Sequence, residues 1–320
     1  MSYQGIACDW LSIRHDYPIE APAQPHKAGL FMKIDRYGEI QYLVDQWDSI
    51  RCPSSDTSFR VKCDGNHLWL MGNIGRFQQP DNITGLNVLQ CVEKWAEVLA
   101  NLGFDLRGFG TRWREGSAAE YGTHITRVDL AGNFEVSDYP ALCSAASIRR
   151  VGQRLPMVGK YGPTWGYESK RSNWTKCKLY DKTAEAEGRR ITSAKETLAR
   201  FEVQLGSEYL KRNSLDRVID WKKEGEAMEN VIYGKFADQV LRESVSVEDW
   251  TDIPTRLRQH AILWRDGVDI RSQLCRSGYF KVRKQLLEYG IDIGTPCNVI
   301  ALTHKVRSVD VVSVSALRAA

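Results

Sequence analysis

The chain has 320 residues, 42% hydrophobic and 26% charged, which excludes a disordered chain and allows one large domain or two ordinary ones. The formal charge of +4 does not by itself announce a polyanionic partner, and no run of about 18 apolar residues exists, so no membrane span is expected. The eight cysteines make no Cys-x-x-Cys pair and no zinc-spaced cluster with histidine. The first residues lack a basic stretch followed by an apolar one, so a secretory leader is not expected, and free thiols in a reducing cytoplasm are.

Residues 1–80 read as β-rich, with strands expected over 6–13, 30–34, 41–44 and 59–63. Asp64-Gly65-Asn66 is a turn signal, and residues 67–71 return as the partner strand. Leu89, Val92, Trp95, Ala96, Leu99 and Leu102 recur at helical spacing before Gly103, which predicts a helix over 86–102. A strand over 121–136 and a helix over 140–150 follow. Residues 152–176, rich in Gly, Trp, Tyr and cations, read as a loop or hairpin. Then come a strand over 177–182, a polar helical stretch over 184–198 and a strand over 200–206. Past about 210 the texture becomes helical (215–221, 227–241, 253–264, 280–289). The fold class read from this order is α+β. An antiparallel-sheet core with flanking helices spans 1–210, and a mostly helical region spans 211–320, suited to origin binding or self-association.

Three strand segments carry the chemistry. They are Thr126-Arg127-Val128-Asp129-Leu130, Lys178-Leu179-Tyr180-Asp181-Lys182 and Arg200-Phe201-Glu202-Val203-Gln204. Strand side chains alternate with period two. Arg127 and Asp129 therefore share one face, as do Lys178, Tyr180 and Lys182, and Arg200, Glu202 and Gln204. Apolar residues take the other face. A polar sheet face with acids, cations and a tyrosine serves stability poorly and suits a phosphodiester. Tyrosine is a weak nucleophile because its pKa is about 10, and flanking cations favour the phenolate. Asp129 and Glu202 suit Mg²⁺ or Mn²⁺, which prefer oxygen ligands. Arg127 and Arg200 could clamp non-bridging phosphate oxygens. Alone, each motif reads as a surface ion pair or an edge tyrosine. Local charge adds weight: residues 149–182 hold nine Lys/Arg against two acids, and residues 256–284 hold eight against two.

With these residues in view, the chain resembles the replication initiators of filamentous phages, the gene II/X class, and more distantly the Rep-trans initiators of rolling-circle plasmids. The ordered blocks are Asp9-Trp10-Leu11-Ser12-Ile13, Gly72-Asn73 through Arg76-Phe77 with Asn82, and residues 126–130. Thr164-Trp165 with Ser169-Lys170-Arg171, residues 178–182 and Arg200-Phe201-Glu202-Val203 complete them. The resemblance implies a site-specific endonuclease that nicks the double-stranded replicative form. The nick leaves a 3′-OH and a 5′-phosphotyrosine, and rejoining releases a single-stranded circle. It places the nucleophile on Tyr180 with Lys182 as helper, and the metal ligands on Asp129 and Glu202. Phosphate contacts are expected at Arg127, Lys178, Arg200, Lys170 and Arg171. The implied partners are double-stranded origin DNA, single-stranded DNA, and the host helicase and polymerase, in the bacterial host cytoplasm, with no membrane. A second subunit could supply the second cut.

The chain departs from the wider rolling-circle nucleases in lacking a His-hydrophobic-His metal motif. A third ligand is open among Asp181, Glu185 and His124, and no second tyrosine lies one helical turn from Tyr180. Two other readings compete. One is a non-catalytic DNA regulator or single-strand binder using Trp165, Tyr167 and Trp174. The other is a tyrosine recombinase, suggested by His124-Ile125-Thr126-Arg127 upstream of Tyr180. Loss of Asp129 and Glu202 separates nuclease from binder.

Overall fold

The computed structural model describes residues 5–17, 29–52, 57–64, 66–79, 85–115, 119–136, 138–168, 174–186, 197–222, 227–241, 253–265, 268–289, 291–294 and 311–313. Lys170, Arg171, Ser169 and Asn82 lie outside these residues, so the phosphate contacts expected at Lys170 and Arg171 have no described geometry.

The strands are β1 (Ala7–Asp16), β2 (Leu30–Ile34), β3 (Ile40–Asp45), β4 (Asp48–Arg51), β5 (Ser58–Cys63), β6 (His67–Gly72), β7 (Arg112–Glu115), β8 (Ala119–Val136), β9 (Met157–Val158), β10 (Pro163–Trp165), β11 (Thr175–Asp181), β12 (Thr197–Gly206) and β13 (Val311–Ser313). The helices are α1 (Val88–Asn101), α2 (Tyr139–Ala146), α3 (Lys182–Ala186), α4 (Ser207–Arg212), α5 (Met228–Leu241), α6 (Thr255–Arg265), α7 (Ile270–Gln273) and α8 (Arg276–Leu287).

Eleven strands form one sheet with the spatial order β4-β5-β6-β1-β8-β12-β11-β10-β9, and β7 and β13 also pair with β8. Its pairings are antiparallel. β2 and β3 make a separate two-stranded sheet whose Leu30, Phe31, Ile34, Ile40 and Leu43 are exposed. The α+β expectation is met.

The period-two pattern decides which side of the sheet is buried. Leu11, Ile13, Val128, Leu130, Phe201 and Val203 are at most 1% exposed and share one core. Burying each such side chain contributes about 1.5–3 kcal/mol. α1 covers this face. Asn87 caps it by accepting from the Gln90 N–H, and Gln90 returns a bond to the Asn87 N–H. Its Trp95 meets Phe59 edge-on at 4.7 Å between ring centroids. α5 packs beside it, with the Tyr233 hydroxyl donating to the Phe201 carbonyl at 3.2 Å. That approach needs Gly132 in β8, where a Cβ would lie 2.6 Å from the Tyr233 hydroxyl.

The sequence texture changes near 210, but the sheet's core continues through Leu210, Leu215, Trp221, Tyr233 and Leu241. A second core begins at Ile253 and includes Leu257, Ile270, Leu286 and Ile293. Residues 215–217 join the sheet edge rather than a helix, with Ile125 donating to the Asp216 carbonyl at 2.8 Å, and only Val218–Trp221 turn as a 3-10 helix. No described helix is long and apolar enough to cross a membrane.

Candidate active site on the polar face of the sheet

Register brings the three predicted segments together. In β11 and β12, Lys178 faces Glu202 and Tyr180 faces Arg200. In β12 and β8, Gln204 faces Asp129 and Arg200 faces Asn133. In β1 and β8, Trp10 faces Asp129. Directly opposed and diagonal side chains on one face are in contact range, and a buried network forms from them.

Glu202, 4% exposed, is its centre. One carboxylate oxygen accepts from the Tyr180 hydroxyl at 2.7 Å and from Arg200 Nε at 3.0 Å. The other pairs with Lys178 Nζ at 2.8 Å. Arg200, 1% exposed, also pairs with Asp9 at 2.6 Å and donates to Asn133 at 3.1 Å. Asn73 donates to Asp9 at 2.9 Å. Beside this network Arg127 holds Asp129 through both nitrogens, at 2.8 and 2.5 Å, and its guanidinium sits 5.3 Å from the centre of the Trp10 ring.

The electrostatics follow from the contacts. Burial pushes the Glu202 pKa up, but the Lys178 and Arg200 charges outweigh it and hold Glu202 below the usual range. Burial raises Asp129 above its ordinary value despite Arg127, with Glu202 and Asp9 adding to the rise. Burial also pushes the Tyr180 hydroxyl well above its ordinary pKa, and the Glu202 charge pushes further, while Arg200 opposes. This reverses the expectation that flanking cations favour the phenolate. Lys178 spends its charge on Glu202, and Lys182 spends its on Glu185 at 2.8 Å. Both ammonium groups still stand over the Tyr180 ring, at 5.0 and 5.8 Å.

Lys182 is not on the strand. β11 stops at Asp181, whose carboxylate accepts from the Ala184 N–H at 2.7 Å and starts α3, so Lys182 opens that helix. Asp181 is therefore a buried cap and Glu185 an ion-pair partner, while His124 lies 3.1 Å from Asp16. Asp9 joins the site without a signal of its own in the sequence pattern. β1 bulges between Cys8 and Trp10, which turns Asp9 onto the polar face.

The donor set fits Mg²⁺ or Mn²⁺ poorly. The oxygens of Glu202 and Asp129 are taken by lysine, tyrosine and arginine, and among the described residues no three His, Cys, Asp or Glu side chains converge. As arranged, the residues fit an ion-pair network and do not fit a preformed divalent-metal centre.

Residues 8–248 match the family model for the N-terminal part of the phage replication-associated protein encoded by gene II, and residues 247–319 match the model for its C-terminal part. The chain belongs to this family of replication-associated proteins. It is similar to the replication-associated protein of the same type from Enterobacteria phage I2-2, with 24% identity over 307 residues, covering 84% of this chain and 83% of that protein. The resemblance to filamentous phage replication initiators is thereby borne out. The N-terminal match takes in every residue of the polar-face network.

Proposed function

We propose that this phage replication initiator nicks and rejoins origin DNA through Tyr180. The observation that carries the reading is the Tyr180–Glu202 hydrogen bond inside a cluster of buried and half-buried acids and cations on the polar sheet face. Buried charge of this kind is weakly justified by stability.

At rest the proton stays on Tyr180, because Lys178 and Arg200 keep Glu202 a poor base. An incoming phosphodiester competes for Lys178 and Arg127, whose side chains are 37% and 38% exposed. Losing Lys178 raises the basicity of Glu202, which then takes the phenolic proton. The Tyr180 oxygen bonds to phosphorus, the bond from phosphorus to the 3′-oxygen breaks, and that oxygen leaves as a 3′-OH after taking up a proton. The 5′-phosphate remains on Tyr180, and rejoining runs the same steps backwards. Arg200 holds Glu202 and Asp9 in place rather than meeting substrate, since it is sealed in the network.

The test is nicking of supercoiled origin-bearing DNA by wild type, Tyr180→Phe and Glu202→Gln. Nicks from wild type alone support the reading. Nicks from Tyr180→Phe overturn the nucleophile, and a 3′-linked adduct favours the recombinase. Binding by folded wild-type protein without a nick favours a regulator.

A further inference from the structure

A second feature of the polar face lies outside the Tyr180 network. It is a cavity of about 450 Å³ where β12 ends, lined by Arg14, Trp69, His124, Ser207, Lys211 and Asp216 among others. That volume falls within the size range of small-ligand pockets.

Its first wall is built. Asp16, 8% exposed, pairs with Arg14 Nε at 2.8 Å and with His124 Nε2 at 3.1 Å, fixing both at the rim. The Arg14 guanidinium stands 5.6 Å from the centre of the Trp69 ring, and Lys62 stands 5.5 Å from it. The indole is thus held upright between two cations on neighbouring strands. The second wall comes from α4, with Ser207 and Lys211, and from Asp216, tied to β8 by the Ile125–Asp216 backbone bond. Planar groups, two cations, a carboxylate and a hydroxyl suit a ligand with a flat ring, a phosphate and exocyclic N–H donors.

Position selects among such ligands. Arg14 faces His124, Ser12 faces Arg127 and Trp10 faces Asp129, so the cavity opens on the same side of the sheet as Tyr180. Gly206, where β12 passes into α4, lies six residues beyond Arg200, which faces Tyr180. That spans about 20 Å at roughly 3.4 Å per residue. The ground between carries Arg127 over Trp10 and Lys176 over Tyr167 at 5.2 Å. Cations beside aromatic rings are how proteins track a single strand.

We propose that this cavity reads one unpaired base of the nicked strand, several nucleotides from the scissile phosphate. Its ring lies beside the Arg14–Trp69 pair, its phosphate on Lys211 and its donor edge on Asp216. The inference rests on the DNA-nicking reading.

The test uses the full chain carrying Tyr180→Phe and fluorescein-labelled single-stranded oligonucleotides spanning the nick site, each with one abasic position. One abasic position weakens binding about tenfold. Ser207→Trp fills the cavity, weakens the intact oligonucleotide by a similar factor and abolishes the penalty at that position alone. Asp216→Asn, which keeps the shape, changes which base is preferred there. If wild type nicks the origin while these variants retain every abasic penalty and base preference, the subsite is wrong and the Tyr180 reading stands. If wild type neither nicks nor binds, both fall together.

Discussion

The two faces of the central sheet are made by the same strands and solve opposite problems. On one face Leu11, Val128, Phe201 and Val203 meet α1 and α5 in a core that shape alone can satisfy. On the other, Arg200, Glu202, Asp129 and Asp9 are buried or half-buried and must satisfy one another through ion pairs and hydrogen bonds. An apolar side chain in place of an ion pair often costs a fold nothing. The contrast therefore teaches that the polar face is kept for chemistry, while the apolar face is kept for stability.

Substitutions across the sheet can break that contrast. The largest effect is expected at Tyr180. Tyr180→Phe loses at least about a thousandfold in nicking rate yet shifts stability by only about 1 kcal/mol, one hydrogen bond. A large fall in melting temperature instead would make Tyr180 a structural residue. Next comes Arg200→Ala, which strands Glu202 and Asp9 and destabilises by about 3–5 kcal/mol in chemical denaturation. On the opposite face Phe201→Ala costs a similar amount, about 3–5 kcal/mol, by leaving a cavity. Addition of salt should separate the two only weakly, since both sites are buried.

The two acids sharpen the comparison further, because their pKa values move in opposite directions. Glu202 lies below its ordinary 4.5 in the folded chain, so its stabilisation is present above about pH 4.5 and is lost as pH falls through the folded value. Asp129 lies above its ordinary 3.8, so the contribution from its titration is full below pH 3.8 and is lost as pH rises through the folded value. At about pH 7, Glu202→Gln therefore lowers the melting temperature and flattens the acid loss, whereas Asp129→Asn does not lower it. Thermal melts between about pH 3 and 7 read both, and a matched fall for the two variants would contradict the assignment.

The smallest effect concerns Mg²⁺ or Mn²⁺. An ion joining these carboxylates has to displace Lys178 or Arg127. Lys178→Met should tighten Mn²⁺ binding several-fold in titration calorimetry. Unchanged binding would place the ion elsewhere.

Much of the site was legible in the sequence, for a physical reason. Arg-x-Asp, Lys-x-Tyr and Arg-x-Glu-x-Gln keep period two, so face assignment needs no structure. Pairing was not legible, because alternation says which face a residue takes and not which neighbour it meets. Lys178 reaches Glu202 only through strand register. Asp9 was hidden for a related reason. Counting in twos from Leu11 and Ile13 puts it on the apolar face, and the bulge beside it reverses that. Lys182 was placed on Tyr180's strand because its spacing fits, but the Asp181 cap turns the chain into a helix one residue earlier. The cavity near Arg14 was invisible, since it joins β1, β6, β8 and α4, which are distant in sequence.

The most direct measurement is peptide mapping of the protein–DNA adduct trapped on single-stranded origin oligonucleotide. The account predicts a nucleotide linked through its 5′-phosphate to Tyr180, within the peptide Leu179-Tyr180-Asp181-Lys182. A 5′-linked nucleotide on another tyrosine such as Tyr161 or Tyr167, with Tyr180 unmodified, would contradict it.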